Sequence, residues 1–360
     1  MKKAILVLED GEYFLGNSFG SQKDTIGEIV FNTSITGYQE ILTDPSYYGQ
    51  IVVLTNPHIG NYGINDIDRE SDRIYLSGFV VKEYSKIYSN HRALKSLDEY
   101  LKEYNISAIE NIDTRKLVRH IRDNGSMNAI ISANNFDVDY LVKKCKEFRH
   151  IKGVDLVSEI IDDKYEQTNY FNSKKDGKYN IVLINLGAKY SIIRYLETEN
   201  CNVINVSPKI SYEKIVSLKP DAVLFSNGPG DPEPVCYAID LARKLMGKYP
   251  LFGICLGCQI LALAIGCKTY KLKFGHHGGN HPVKDLNKSK IYITAQNHCF
   301  AIDKDSIGSD IEITHLNLND NTIEGIKHKR FPLYAVQFHP EGGPGPHDCN
   351  AIFKEFIGML

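Results

Sequence analysis

Short apolar runs alternate with helical patterns through the second half of the chain. Residues 181–184 are continuously apolar, which is typical of a strand buried on both faces of a sheet. A helical stretch follows, and strand-like runs return at 202–206, 222–225 and 250–255 with helical patterns between them. This alternation predicts an α/β fold with a doubly wound, mainly parallel sheet, whose ligands bind beyond the carboxyl ends of the strands.

The first half has a different texture. Residues 1–150 mix short strand-like runs with glycine and asparagine turns, and they carry helical patterns near 94–103 and 114–123. Asp113 or Thr114 is a suitable N-cap for the second of these helices, because a short polar side chain there accepts a hydrogen bond from the first turn. The pattern predicts a mixed β/α domain at the amino-terminal end.

A polar stretch separates the two textures. The segment 151–178 is rich in Asp, Lys, Asn and Ser in its second part, which is typical of a linker. We therefore expect three parts: a mixed β/α domain over 1–150, a linker over 151–178 and an α/β domain over 179–360.

Composition narrows the possible functions. A net charge of −2 and a pI near 6.6 provide no basic surface for nucleic acid. No run of residues approaches the roughly 20 apolar positions that a membrane-spanning helix needs. The eight cysteines follow no regular spacing, which indicates reduced thiols rather than a disulfide framework. The chain is expected to be cytoplasmic and to bind neither nucleic acid nor a membrane.

One cysteine lies in a pattern that suits a nucleophile. An apolar run leads into Gly-x-Cys-x-Gly at 253–257, and an apolar helical pattern follows at once. Glycines two positions either side of Cys255 allow a sharp strand-to-helix turn, and the helix N-terminus favours a thiolate and an oxyanion. A buried structural cysteine explains this segment about equally well. Cys255 and Cys258 also form a Cys-x-x-Cys pair, so a redox centre remains open, whereas a zinc site lacks a second such pair.

A base and an acid follow another strand-like run near the carboxyl-terminal end. Residues 334–338 alternate as a strand, which places His339 at its carboxyl end. Glu341 is two positions further on and can project the same way from an extended backbone, a conformation that Pro340 favours for the residue before it. A thiol nucleophile needs such a base with an orienting carboxylate. A structural histidine is the alternative for His339 taken alone.

Together these motifs resemble the class I, or triad, glutamine amidotransferases. The segments that carry the resemblance are 253–259 (Gly-Ile-Cys-Leu-Gly-Cys-Gln), 339–341 (His-Pro-Glu) and 226–232 (Ser-Asn-Gly-Pro-Gly-Asp-Pro). The chain is also similar to the carbamoyl phosphate synthetase small-subunit family. The segments 37–47, 56–61, 112–115 and 274–282 resemble the amino-terminal domain of that subunit, and 295–298 is similar to the same subunit.

The resemblance implies a role for each matching residue. Cys255 is expected to attack the carboxamide of glutamine, His339 to shuttle the proton, and Glu341 to orient His339. His298 matches a histidine near the pocket but outside the triad. The positions that match contacts to glutamine or its oxyanion are Ser46, Gly228, Gly230, Leu256, Gln259, Asn297, Cys299 and Phe300.

The resemblance also implies a partner. Ammonia from L-glutamine would pass to a separate large subunit, in a heterodimer or a higher oligomer, and that subunit would use ATP and Mg with bicarbonate to make carbamoyl phosphate. This chain would itself need no cofactor and no metal, and it contains no Gly-x-x-x-x-Gly-Lys-[Ser/Thr] loop. Whether the product serves pyrimidine synthesis, arginine synthesis or both stays open, as do the oligomeric state and the degree of activation by the partner.

Two positions depart from the family pattern. Cys258 stands where histidine is common and Cys299 where glycine is common, so the pocket could be narrower and sensitive to oxidation. A metal site is one interpretation of the three histidines His276, His277 and His281. A structural loop is the better interpretation, because no cysteine or carboxylate lies at ligand spacing beside them. The remaining alternatives are a different glutamine amidotransferase, a catalytically inactive scaffold and a redox protein.

Overall fold

The computed structural model describes residues 2–161 and 177–360. These residues form two compact units. The first unit contains Met1–Lys152 and Lys273–Gly278, and the second contains Gly153–Leu272 and Gly279–Leu360. Among the described residues, no helix combines the length and the apolar character needed to cross a bilayer.

The first unit is built around a closed barrel. Its described strands are β1 (Lys3–Leu8), β2 (Tyr13–Gly20), β3 (Thr25–Asn32), β4 (Gln50–Leu54), β5 (His58–Ile59), β6 (Gly78–Val80), β7 (Glu83–Tyr84), β8 (Ser107–Glu110) and β9 (Met127–Ser132). Its described helices are α1 (Tyr38–Thr43), α2 (Leu97–Glu103), α3 (Thr114–Asn124) and α4 (Val138–Glu147), with a 3-10 turn at Pro45–Tyr47. The barrel runs in the order β1-β2-β8-β6-β4-β3-β9, and β9 closes it by pairing antiparallel with β1.

Strand β1 shows why the barrel forms. Ala4, Leu6 and Leu8 point into one apolar cluster together with residues of β3, β4, β8 and α3. Ile5 and Val7 point the other way, into a cluster that α4 covers. Because successive side chains leave opposite faces of a strand, this continuously apolar segment is buried on both faces. The helices predicted near 94–103 and 114–123 are confirmed as α2 and α3. Asp113 caps α3, because its side chain accepts a hydrogen bond from the backbone N–H of Lys116 at 2.9 Å.

The second unit contains one large sheet with helices on both faces. Its described strands are β10 (Tyr179–Ile184), β11 (Cys201–Val206), β12 (Ala222–Phe225), β13 (Leu251–Ile254), β14 (Thr269–Asp285), β15 (Lys290–Ile302), β16 (Ile311–Asn317), β17 (Ile323–His328) and β18 (Leu333–Val336). Its described helices are α5 (Val157–Ile160), α6 (Tyr190–Thr198), α7 (Tyr212–Ser217), α8 (Cys236–Leu245), α9 (Leu256–Ala264) and α10 (Ala351–Ile357), with a 3-10 turn at Lys304–Ser306.

The sheet has a parallel half and an antiparallel half. In the order β11-β10-β12-β13-β18-β17-β16-β14-β15, the strands from β11 to β18 pair in parallel, whereas β18 with β17, β17 with β16 and β16 with β14 pair antiparallel. Along β10, Ile181 packs with α6 and α10 on one face, and Val182 packs with α8 and α9 on the other. The doubly wound α/β fold is therefore confirmed for the parallel half, and the antiparallel strands extend it.

Two segments lie differently from their predicted places. Residues 153–161 were predicted as linker, yet the backbone N–H of Gly153 donates to Asp231 at 2.9 Å and Val157 is fully buried in the core of the second unit. The rest of the predicted linker, 162–176, lies outside the described residues. Residues 273–278 were predicted within the α/β domain, but they belong to the first unit, where Lys273 accepts a backbone hydrogen bond from Ser126.

Helix α9 approaches strand β12 closely enough to require glycine. A Cβ atom added to Gly257 would lie 2.0 Å from the carbonyl oxygen of Phe225. The approach is held by the backbone N–H of Gly257, which donates to the carbonyl of Ser226 at 3.0 Å.

We expect Gly257→Ala to destabilise the protein by about 2 kcal/mol or more, because a side chain at this position pushes the helix away from the sheet. Urea unfolding measures the loss. Gly308→Ala is the matched control, since the nearest atom to its added Cβ is 4.0 Å away. Equal unfolding midpoints for the two variants would contradict the prediction.

Candidate active site

Cys255 occupies a strained turn between β13 and α9. Its backbone dihedrals are φ 54° and ψ −107°, a region that non-glycine residues rarely adopt. The turn is tight because a Cβ on Gly253 would lie 2.7 Å from the backbone of Gly257. The glycines two positions either side of Cys255 therefore permit the turn, and Cys255 itself is 2% exposed.

His339 follows the neighbouring strand of the same sheet. Ile254 at the end of β13 is paired with Val336 at the end of β18, and the two strands are parallel. The backbone N–H of Cys255 donates to the carbonyl of Val336 at 2.9 Å, and that of His339 donates to Ala295 at 2.9 Å. Cys255 and His339 thus leave adjacent strands at the same sheet edge, in agreement with the predicted placement.

The ring of His339 is oriented by Glu341. Its Nδ1 lies 2.5 Å from Oε1 of Glu341. An ionised carboxylate can only accept, so Nδ1 carries a hydrogen and donates it, and in the neutral form of the ring the lone pair is then on Nε2. Nε2 is buried and has no hydrogen-bond partner among the described residues. The histidine is therefore held in the tautomer that can accept a proton at Nε2.

A lysine that the sequence reasoning missed completes this ion pair. Nζ of Lys189 lies 3.0 Å from the same Oε1 of Glu341 and also donates to the carbonyl of Gly342. The side chains of Lys189 and Glu341 are only 2% and 0% exposed. Burial opposes the charge on Glu341, but Lys189 and then His339 outweigh it and lower the pKa of this carboxyl to about 2.

The glycine-rich strip after β12 lies against the start of α9. A Cβ on Gly228 would lie 2.2 Å from the carbonyl oxygen of Leu186 and 2.8 Å from the side chain of Leu256. Gly230 has φ +81° and packs against Leu156. Leu256 is the first residue of α9, where a backbone N–H has no acceptor within the helix. Gly228 and Leu256 are thus brought together, whereas Gly230 lies beside a residue that was not predicted for the site.

Asn297 on β15 contacts the nucleophile, and Phe300 on the same strand contacts Gln259 of α9. The carbonyl oxygen of Asn297 is 3.4 Å from Sγ of Cys255. Gln259 donates through Nε2 to the carbonyl of Phe300 at 2.8 Å and to Gln337 at 3.0 Å. Both amide hydrogens of Gln259 are therefore used in hydrogen bonds within the protein.

His298 and Cys299 lie on the same strand and are buried. Nδ1 of His298 lies 2.7 Å from the carbonyl of Phe300, and Nε2 lies 2.9 Å from Oε1 of Gln296. Gln296 donates its own Nε2 to Glu324, which sets the orientation of its amide. Both ring nitrogens of His298 are thus engaged within the protein, which fixes the orientation of the ring.

Ser46 belongs to the first unit. It lies in the turn Pro45–Tyr47, is 7% exposed, and donates its backbone N–H to Asp44 at 2.9 Å. Its contact with glutamine stays a prediction. His276 and His277 also lie in the first unit, whereas His281 lies in the second.

The redox alternative loses support from the environment of Cys258. This thiol is fully buried in helix α9, and burial raises its pKa well above the ordinary value. Because the thiolate is the reactive form, a thiol with a raised pKa reacts slowly in thiol–disulfide exchange. None of the eight cysteines, all within the described part of the chain, forms a disulfide bond.

Comparison with known proteins covers both halves of the chain. Residues 6–131 match the family described as "Carbamoyl-phosphate synthase small chain, CPSase domain", and residues 182–359 match "Glutamine amidotransferase class-I". A relative from Aquifex aeolicus, named carbamoyl phosphate synthase small chain, is 56% identical over 366 aligned residues. The alignment covers 99% of this chain and 99% of the relative. The chain belongs to the carbamoyl phosphate synthase small chain family.

Two further relatives carry the same name. The protein from Chlorobaculum tepidum is 49% identical, with 99% of this chain and 97% of the relative covered. The protein from Archaeoglobus fulgidus is 49% identical, with 99% of each covered. Membership of the carbamoyl phosphate synthase small chain family excludes the other amidotransferases considered from the sequence, and a small chain implies a large partner chain.

We expect Lys189→Met to destabilise the protein by about 3 kcal/mol at pH 7, because Glu341 then remains as a buried charge without its ammonium partner. Urea unfolding gives the value. Lys214→Met, on the exposed surface of α7, is the matched control and should change stability by less than about 0.5 kcal/mol. A loss of similar size in both variants would contradict the buried ion pair.

The same carboxylate predicts a pH dependence. The pKa of Glu341 is lowered from 4.5 to about 2 in the folded protein, so its stabilising contribution is complete above pH 4.5 and is lost as the pH falls through about 2. The free energy of unfolding of the unmodified protein should therefore fall more steeply over this window than that of Glu341→Gln. Parallel curves from urea unfolding at a series of pH values would rule out this assignment.

Proposed function

We propose that this chain is the glutamine-hydrolysing subunit of a carbamoyl phosphate synthase, with Cys255 as its nucleophile. The observation that carries the proposal is the state of His339. Its Nδ1 donates to Glu341, and its Nε2 is buried without a hydrogen-bond partner among the described residues, at the strand end next to Cys255. A thiol and a base placed in this way form the arrangement used for acyl transfer.

The first half-reaction forms a thioester. Nε2 of His339 takes the proton of the Cys255 thiol, and the sulfur adds to the carboxamide carbon of L-glutamine. In this proposal the backbone N–H of Leu256 and the backbone at Gly228 stabilise the oxyanion. When the tetrahedral adduct collapses, the C–N bond breaks, and His339 returns its proton to the leaving nitrogen as ammonia departs.

The second half-reaction regenerates the enzyme. His339 removes a proton from water, and the hydroxide adds to the thioester carbon. Collapse of this adduct breaks the C–S bond, releases glutamate and returns the proton to Cys255. Glu341 stays ionised throughout and stabilises the imidazolium that forms twice per cycle. Lys189 keeps Glu341 charged in its buried position, so it acts as a positioning residue.

In this proposal the ammonia released from glutamine is used by a second chain. We infer that a separate large chain, joined to this one as a heterodimer or a larger assembly in the cytoplasm, combines ammonia with bicarbonate, using ATP and Mg. This chain needs neither a cofactor nor a metal for the steps above. Predicted contacts of glutamine with Ser46, Gly230, Gln259, Asn297, Cys299 and Phe300 belong to this proposal.

Cys255→Ser tests the nucleophile. It should lower glutamine-dependent synthesis of carbamoyl phosphate by the full chain with its large partner by about a thousandfold or more. Synthesis from free ammonia should stay near the level of the unmodified complex, because that step does not use the thiol. Diazo-oxonorleucine should label the unmodified chain and not the variant.

Cys236→Ser is the matched control, since Cys236 is the exposed cysteine of the chain and should be dispensable. Glutamine-dependent synthesis by Cys255→Ser at the unmodified rate would overturn the assignment of the nucleophile. Loss of ammonia-dependent synthesis as well would indicate a failure of assembly, which gel filtration of the complex detects.

A further inference from the structure

Helix α3 of the first unit carries basic side chains of two kinds. Those of the first kind contact acidic side chains of the β1–β2 connection. Nζ of Lys116 lies 2.5 Å from Oε1 of Glu12, and Nε2 of His120 lies 2.5 Å from Oδ2 of Asp10. These contacts link the helix to the connection between β1 and β2.

The arginines of the same helix are arranged differently. Arg122 pairs with its neighbour Asp123 at 2.8 Å. Arg115 and Arg119 are exposed and have no ion pair or hydrogen bond among the described residues. Arg119 contributes to lowering the pKa of Asp123, but the hydrogen bond from Arg122 is the larger cause. That carboxylate is therefore already engaged.

These arginines line a cavity of about 470 Å³. Its lining consists of Thr55, Thr114, Arg115, Val118, Arg119 and Arg122. All six residues belong to the first unit, whereas Cys255 and His339 belong to the second. The lining contains three guanidinium groups, two hydroxyl groups and no carboxylate. All of the charged side chains that line the cavity are therefore positive.

The spacing of the arginines suits an oxyanion. Arg115 and Arg119 are four residues apart on one helix, so they project from the same face as neighbours. Like charges at this spacing destabilise a helix when nothing lies between them. Thr114 is the first residue of α3, at the end where the helix dipole also favours negative charge. A bound anion would relieve the repulsion and satisfy both guanidinium forks.

We propose that this cavity binds a small phosphate-bearing molecule. A phosphate group presents enough oxygens to accept from both guanidinium groups and from the hydroxyls of Thr55 and Thr114, whereas a carboxylate has only two. The cavity volume is within the range of small-molecule sites and exceeds what inorganic phosphate alone would fill. The phosphate is therefore one part of a larger ligand, and Val118 offers an apolar contact for the remainder.

Thermal unfolding of the full chain with inorganic phosphate and with pyrophosphate, against chloride at equal ionic strength, tests the site. Ligands that bind the folded state raise the melting temperature, so both phosphates should stabilise the unmodified protein and pyrophosphate should do so at lower concentration. Arg115→Gln and Arg119→Gln should each weaken apparent binding about tenfold, and the double variant should show no stabilisation beyond chloride.

Lys116→Gln is the matched control. It removes one positive charge from the same helix, but Lys116 is engaged by Glu12 and does not line the cavity. Apparent affinity in this variant should stay within about twofold of the unmodified protein, since nonspecific attraction alone is screened by salt. Thr55→Val, which keeps every charge, should weaken binding measurably and reports on the site independently of charge.

Two outcomes would overturn the proposal. One is the absence of stabilisation of the unmodified chain by either phosphate. The other is an equal loss of binding in Lys116→Gln and Arg119→Gln, which would indicate general electrostatic attraction. A third result would assign the cavity differently: neither phosphate binds, and the arginine variants no longer assemble with the large chain. The arginines would then bind carboxylates of that partner, and the proposal of a small-molecule site would be wrong.

Discussion

The buried contact of Glu341 with Lys189 and His339 is the interaction on which the candidate site depends. A carboxylate in an apolar interior would ordinarily take up a proton. Here two cationic or hydrogen-donating groups meet one oxygen, at 3.0 Å and 2.5 Å, and keep it ionised. The charge of Glu341 then decides which nitrogen of His339 carries the hydrogen. One electrostatic balance thus fixes both the position and the chemistry of the base.

The fold supplies the remaining geometry through backbone contacts. Parallel pairing of β13 with β18 brings two loops to one edge of the sheet. The absence of side chains at Gly253 and Gly257 allows the strand to turn directly into α9. The site is therefore held by the sheet and by one tightly packed helix, and its loops contribute the chemical groups.

Much of this arrangement could be predicted because its signals are local. The elbow around Cys255 and the pair His339 and Glu341 each lie within a few residues, and the alternation of strands and helices orders them in space. Lys189 could not be found in this way, since it is 152 residues from Glu341 in sequence and resembles any surface lysine. Closure of the barrel and the place of 273–278 in the first unit likewise depend on hydrogen bonds between residues that are distant in sequence. Such pairing cannot be recognised from the local pattern of apolar and polar residues.

Strand β13 lies between β12 and β18, with hydrogen-bonded neighbours on both sides. Fraying begins at the edges and termini of a fold, where few contacts need to break. The backbone of β13 that leads to Cys255 is far from the edges of its sheet, so breaking its hydrogen bonds would require rupture of the sheet near its centre. Amide protons of β13 should therefore exchange with solvent only through nearly global unfolding, so the backbone that carries the nucleophile is among the most protected parts of the fold.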